Sequence, residues 1–197
     1  MKSEDLGYHL FATAFGSCGL AWSGRGITRL QLPEENRLAT ERRLQARGQL
    51  LSPVEPPASI ALVVQALQRY FDGLPVDFAD IKLDLGDTPP FFQTIYRLNR
   101  AIGWGKLATY GELAERAGSP GSSRAVGQAM ARNPIPIIIP CHRVLAANRK
   151  VGGFSAFGGA LTKQRLLGLE GVSLAAELPL FAGLETRVVS SSAGSRS

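Results

Sequence analysis

The first 32 residues alternate between apolar and polar positions in short runs, a pattern typical of β-strands. The runs "YHLFATAF" (8–15), "GLAWS" (19–23) and "GITRLQL" (26–32) contain β-branched or aromatic residues, and Gly and Ser separate them. This spacing predicts a meander of antiparallel hairpins. A further run, "DIKLDL" (80–85), is predicted to form a last strand in the same part of the chain.

Helical spacing of the apolar residues dominates elsewhere. It predicts helices over residues 34–47, 58–73, 91–102, 109–118, 123–133 and 161–171. Thr109 is a suitable N-cap for the helix that it begins, and Gly118 marks the end of that helix. The segment "RVLAANRKVGGF" (143–154) is predicted to form a hairpin.

A boundary is predicted at "GDTPP" (86–90), where turn residues separate the strand-rich part from the helix-rich part. We therefore predict an N-terminal domain of residues 1–86 and a C-terminal domain of residues 87–175. The last segment, 176–197, ends in "SSSAGSRS" and is predicted to be a disordered tail.

The positive charge is concentrated in the second predicted domain. The whole chain carries a net charge of +6, yet residues 1–86 hold nine basic and ten acidic side chains. Residues 87–175 hold eleven basic and only four acidic side chains. Such a surplus favours a polyanionic partner such as nucleic acid for this domain, although a merely basic surface would give the same count.

Composition narrows the classes of function. Two cysteines and two histidines, widely spaced, provide neither a disulfide framework nor a ligand set for structural zinc. No apolar run approaches the roughly 20 residues of a membrane span, and the N-terminus does not resemble a secretory signal. We expect a cytoplasmic protein with no metal, no cofactor and no membrane association.

The helices at 109–118 and 123–133 are joined by a short Gly- and Pro-containing turn, as in a helix-turn-helix. The second helix carries Arg124 and the small residues Ala125, Gly127 and Ala129. Small side chains let the backbone approach a narrow groove closely, which suits minor-groove contact by shape. An ordinary helical hairpin, with small residues for packing, remains open at this point.

The segment "PIPIIIPCHRVL" (134–145) ends an apolar run in Cys141, His142 and Arg143. Positive neighbours lower a thiol pKa, and a histidine can act on a thiol through a bridging water. Such a histidine needs an acid to orient it, and Glu170 is the one acidic residue of the basic domain after the cysteine. Cys-His alone leaves hydrolytic, redox and structural roles open.

Four segments together resemble one family, the O6-alkylguanine-DNA alkyltransferases, also called methylated-DNA–protein-cysteine methyltransferases. "NPIPIIIPCHRVL" resembles its active-site segment and "TYGELAERAGSPGSSRAVGQAMARNP" its DNA-binding helix pair. "TKQRLLGLEG" resembles its closing helix, and "FATAFGSCGLAWSGRGITRLQL" is more loosely similar to its N-terminal β domain. The likeness covers most of residues 8–172.

The resemblance implies an α/β fold, with a small ribonuclease-H-like domain that has no catalytic part and a mostly helical domain that resembles a winged helix. It also implies a direct-reversal repair protein for double-stranded DNA, contacted in the minor groove. O6-alkylguanine, mainly O6-methylguanine with O4-methylthymine as a second candidate, is flipped out of the duplex. Its alkyl group then passes irreversibly to Cys141, once per molecule. The protein is expected to be a monomer, with cooperative binding along DNA left open.

Family roles are carried over to matching positions of this sequence. His142 is expected to deprotonate Cys141, with Glu170 holding His142, and Tyr110 is expected to serve the base ring. Asn133 is expected to brace the turn before the cysteine, and Arg124 to fill the gap left by the flipped nucleotide. The backbone carbonyls of Cys141 and Val144 are expected to accept from the guanine amino group, and Ser155 to donate toward the guanine oxygen. The alternative function is a non-catalytic sensor that binds alkyl lesions and recruits other repair factors.

Overall fold

The computed structural model describes residues 6–46, 52–147 and 150–173. Its N-terminal part contains an antiparallel sheet in the order β1 (Gly7–Thr13), β2 (Gly16–Ser23) and β3 (Gly26–Gln31). The predicted meander of hairpins is confirmed. The predicted disordered tail, 176–197, lies outside the described residues.

Both faces of this sheet carry buried residues, which explains why five consecutive positions of β2, 18–22, are buried. Two helices follow the sheet, α1 (Arg37–Gln45) and α2 (Ala58–Phe71). On the α1 side, Leu44 packs against sheet residues Tyr8, Leu10 and Ala21. The other face joins the main core, which includes Cys18, Leu20, Trp22 and Ile27 from the sheet with Leu67, Tyr70 and Phe71 from α2.

The predicted strand at 80–85 is wrong. The segment forms a single parallel bridge between Leu83 and Ile27. Ile27 donates its N–H to the Lys82 carbonyl at 2.9 Å and accepts from the Asp84 N–H at 2.8 Å. Pairing stops there because the Asp84 carboxylate accepts from the Ser23 hydroxyl and from the Gly86 N–H, which turns the chain away.

The C-terminal part is mostly helical, as the sequence predicts, and the α/β class is confirmed. Its helices are α3 (Pro90–Arg100), α4 (Tyr110–Arg116), α5 (Ser123–Ala131) and α6 (Gly159–Leu169). Helix α4 begins at a complete capping box, in which Thr109 and Glu112 each bond the other's backbone N–H. None of the helices in the described ranges is long and apolar enough to cross a membrane.

The segment after Cys141 does not form the predicted hairpin strands. Instead β5 (Val144–Leu145) pairs in parallel with β4 (Ala108–Thr109), which immediately precedes α4. Where the chain returns, the Ala146 N–H donates to the Lys150 carbonyl at 3.0 Å. The long-range pairing places the cysteine segment beside the start of α4.

We predict that Thr109→Ala lowers the free energy of unfolding by about 1 kcal/mol, because the capping hydroxyl is lost. Ser122→Ala is the matched control, since Ser122 precedes α5 without a side-chain capping bond. Chemical denaturation followed by circular dichroism measures both. Equal losses in the two variants would contradict the role given to Thr109.

Candidate active site

Cys141 follows a strained and fully packed turn. Ile137 has a φ of 71°, which a β-branched residue rarely adopts, and its side chain is buried. The surrounding structure must therefore hold this conformation against its cost. Cys141 begins a one-turn 3-10 helix, Cys141–Arg143, and its side chain is almost completely buried.

Asn133 holds this turn from within. Its side-chain N–H donates to the Ile139 carbonyl at 2.8 Å, and its side-chain oxygen accepts from the Ile135 N–H at 3.0 Å. The amide also hydrogen-bonds toward the Cys141 thiol, which lowers the pKa of that thiol. The geometry supports the predicted brace.

His142 and Glu170 form a buried pair, although 28 residues separate them. Nε2 of His142 lies 2.7 Å from Oε1 of Glu170, and both side chains are fully buried. Nδ1 of His142 is also buried and has no hydrogen-bond partner among the described residues. Burial lowers the pKa of His142 more than Glu170 raises it, so the imidazole is neutral and can accept a proton.

Glu170 is ionised because of the donors around it. Arg143 donates from Nε at 2.9 Å and from its terminal nitrogen at 3.0 Å, and the Gly105 N–H donates at 3.1 Å. Burial raises the pKa of this carboxyl, but the bonds from His142 and Arg143 outweigh burial and hold it at about 2. At neutral pH the group is therefore a carboxylate, which can only accept hydrogen bonds.

The expectation that His142 and Arg143 give Cys141 a low thiol pKa is wrong. Burial dominates and raises the pKa of the thiol. Arg143 is neutralised by Glu170, and His142 is itself neutral. The positive charge that does act on the thiol belongs to Lys163, whose influence lowers the pKa without overcoming burial.

Lys163 is a site residue that the sequence interpretation missed. It is fully buried, and its Nζ donates to the Val144 carbonyl at 2.6 Å. Burial lowers the pKa of Lys163 to about 8. Lys163 lies three residues before Leu166 and seven before Glu170, so it is on the buried face of α6. A lysine at an otherwise apolar position of this face is the signal in the sequence that could have identified it.

A cavity of about 440 Å³ brings several predicted residues together around the thiol. Its lining comprises Tyr110, Gly127, Met130, Ala131, Cys141, Gly153, Phe154 and Ser155. Burial, and the nearby Cys141, raise the pKa of Tyr110, so its phenol keeps its proton and can donate. A second cavity of about 250 Å³ reaches Cys141 beside Asn133, Pro136 and Ser155.

The helix α5 presents only part of the predicted DNA surface. Arg124 is exposed, and Ala125 and Gly127 are half-buried. Ala129, however, is fully buried, and its carbonyl accepts from the Tyr96 hydroxyl at 2.8 Å. The prediction that Ala129 contacts DNA is therefore corrected: its small side chain serves packing against α3.

Two family models match the chain. "6-O-methylguanine DNA methyltransferase, ribonuclease-like domain" matches residues 6–85. "6-O-methylguanine DNA methyltransferase, DNA binding domain" matches residues 90–172. Together they cover most of the described residues.

Known relatives and solved structures give the same result. A methylated-DNA–protein-cysteine methyltransferase of Mycolicibacterium paratuberculosis is 43% identical over 127 residues, covering 64% of this chain and 74% of the relative. The protein of the same name from Methanothermobacter thermautotrophicus is 34% identical and covers 79% and 80%. The structure of Mycobacterium tuberculosis OGT in complex with DNA superposes with a TM-score of 0.68, 35% identity and coverage of 83% and 91%. An O6-methylguanine-DNA methyltransferase from Pyrococcus kodakaraensis gives a TM-score of 0.64 at 29% identity, covering 84% and 99%.

We predict that stability falls as the pH is lowered through two windows. The folded-state pKa values of His142 and Glu170 lie below their ordinary values of 6.5 and 4.5, so the unfolded chain takes up each proton first. Stabilisation is therefore lost below about pH 6.5, and again from pH 4.5 toward 2.

Urea unfolding at each pH measures this dependence. Glu170→Gln is expected to be less stable at neutral pH, because it leaves Arg143 without its carboxylate partner. Its stability should then decrease less steeply than that of the wild type below about pH 4.5, where the wild-type carboxylate would be protonated. Parallel curves for the two proteins would contradict the assignment.

Proposed function

The chain belongs to the 6-O-methylguanine DNA methyltransferase family, and on that premise we propose that Cys141 is its alkyl acceptor. The protein is a DNA repair methyltransferase that binds DNA and transfers the alkyl group of O6-alkylguanine to its own cysteine. The thioether formed is stable, so each molecule reacts once. The supporting observation is that Cys141 and Tyr110 line one cavity, with the buried His142–Glu170 pair directly behind the thiol segment.

The proposed transfer is one displacement. The thiol is protonated at rest, because burial raises its pKa, and its proton passes through a water to Nδ1 of His142. Sulfur forms a bond to the alkyl carbon while the bond from that carbon to guanine O6 breaks. The electron pair moves onto guanine, which takes a proton and leaves as the unmodified base. Glu170 stabilises the imidazolium formed on His142.

The base is proposed to occupy the cavity beside α5. Tyr110 donates to the base ring as negative charge develops on it, and Ser155 donates toward the guanine oxygen. The Val144 carbonyl already accepts from Lys163, so its second lone pair is the one available to the guanine amino group. Asn133 keeps the thiol segment in place by its two backbone bonds.

The DNA is proposed to lie along α5 with its minor groove toward Ala125 and Gly127. Arg124 fills the gap that the flipped nucleotide leaves, which offsets part of the few kcal/mol that flipping costs.

We retain domain boundaries at residues 86/87 and 175. They are supported by the two family matches, of which the first ends at residue 85 and the second begins at residue 90. We also propose a cytoplasmic monomer, and the reducing cytoplasm suits a reaction that consumes a free thiol. The sensor alternative is not favoured, because the acceptor cysteine is present and the relatives are named methyltransferases.

The decisive experiment is the intact mass of the protein after mixing with excess duplex that carries one O6-methylguanine. We expect a single gain of about one methylene, because sulfur exchanges its proton for a methyl group. Cys141→Ala should abolish the gain. Cys18→Ala should keep it, since burial raises the pKa of that thiol to about 12. Tight binding without a change of mass would instead support the sensor function.

Arg124→Ala should slow repair in duplex DNA about tenfold or more, because the energy of flipping is no longer offset. Its reaction with free O6-benzylguanine should be unchanged, as no nucleotide is flipped. Arg42→Ala is the charge-matched control, an exposed arginine on α1 in the other part of the chain. Single-turnover rates test both variants. Equal losses on duplex and free base would refute the finger role.

A further inference from the structure

Tyr70 carries a hydroxyl from the N-terminal part of the chain into the active site. It lies near the end of α2 and is fully buried. Its hydroxyl donates to Oε1 of Glu170 at 2.8 Å and lies 3.2 Å from Nε2 of His142. Three polar atoms from three separate segments therefore meet at one buried point.

The directions of these hydrogen bonds follow from counting protons. Glu170 is ionised and can only accept, so the one hydroxyl proton of Tyr70 goes to Glu170. The phenol oxygen can then only accept from His142. Because both neighbours of Nε2 are acceptors, Nε2 must carry the imidazole proton. The neutral ring therefore has its lone pair on Nδ1, the nitrogen that has no partner among the described residues.

Ring packing alone does not account for a tyrosine here. The ring makes edge contacts with Phe71 and Trp104, both at 5.4 Å between centroids, and a tilted contact with Phe78 at 6.0 Å. A phenylalanine would make the same contacts. The hydroxyl, in contrast, contacts His142 and Glu170, the two residues proposed to accept the thiol proton and to stabilise the resulting imidazolium.

We propose that Tyr70 is a positioning residue for alkyl transfer, which holds His142 in the tautomer with the proton on Nε2 by sharing the Glu170 oxygen with it. The N-terminal domain therefore takes part in the reaction, contrary to the expectation that it has no catalytic part. This inference rests on the proposed function of Cys141 and His142.

Removing the hydroxyl has two consequences. The ring of His142 loses one of the two acceptors that fix its tautomer and orientation. Glu170 also loses a donor, so its charge acts more strongly on His142 and raises the pKa of that imidazole. Tyr70→Phe should therefore slow single-turnover transfer about tenfold near neutral pH, a fraction of what a general base contributes. The acid side of its pH–rate profile should move to higher pH, with unchanged affinity for lesion DNA.

Tyr8→Phe is the matched control. Tyr8 is also buried and also donates its hydroxyl to a carboxylate, that of Glu41, but it packs on the α1 face of the sheet. This variant loses an equivalent bond and should keep the wild-type rate and pH profile. A wild-type rate and profile for Tyr70→Phe, or the same loss in Tyr8→Phe, would overturn the proposal.

A second measurement tests the tautomer without any variant. In protein with nitrogen-15 in its histidines, only His9 and His142 give signals. We expect His142 to show a protonated Nε2 and an unprotonated Nδ1 at neutral pH. The opposite tautomer would overturn the inference even if Tyr70→Phe failed to fold. Failure of the wild type to gain mass would instead refute the proposed function and leave the tautomer result standing.

Discussion

The ionised carboxylate of Glu170 is the interaction on which the rest of the site depends. It accepts from His142, Arg143, Tyr70 and the backbone N–H of Gly105. A buried charge with fewer partners would cost several kcal/mol, so these donors must all be in place when the chain is folded. The carboxylate thereby ties the end of α6 to α2, to the turn after α3 and to the 3-10 helix. Gly105 suits this place because its φ of 66° brings the backbone close to Glu170, where a Cβ would lie 3.2 Å from the Glu170 carbonyl oxygen.

The Cys141 thiol is held in place by a rigid turn, and its surroundings keep it protonated rather than ionised. The strained Ile137 turn, braced by Asn133, fixes where Cys141 begins its short helix. Burial raises the pKa of the thiol and so keeps it protonated at rest. In the proposed transfer the thiol loses its proton as it attacks, so that step depends on a correctly oriented base. Lys163 adds a positive charge near the sulfur as thiolate character develops.

The two parts of the chain are joined through this chemistry. The N-terminal sheet buries both its faces, and one of them shares a core with α3, α4 and α5. Tyr70 belongs to that shared core, and its hydroxyl donates to Glu170 and lies beside Nε2 of His142. The basic surplus and the exposed Arg124 stay on the C-terminal part, where DNA is proposed to bind. The proposed DNA contacts thus lie on one part, while the proposed orientation of His142 draws on both.

The sequence by itself determined the features that depend on local pattern. Alternating runs predicted β1 to β3, apolar periodicity predicted the helices, and Thr109 and Gly118 marked the ends of α4. The motif around Cys141 predicted the residues now proposed as the alkyl acceptor, its histidine and the glutamate that holds the histidine. The tertiary structure decided what depends on contacts between distant segments. Local spacing could not show that 80–85 forms one bridge, that Val144–Leu145 pairs with Ala108–Thr109, or that Ala129 is buried. It also could not show the raised pKa of Cys141 or the contact from Tyr70, because burial and a bond across 100 residues arise only when the chain is folded.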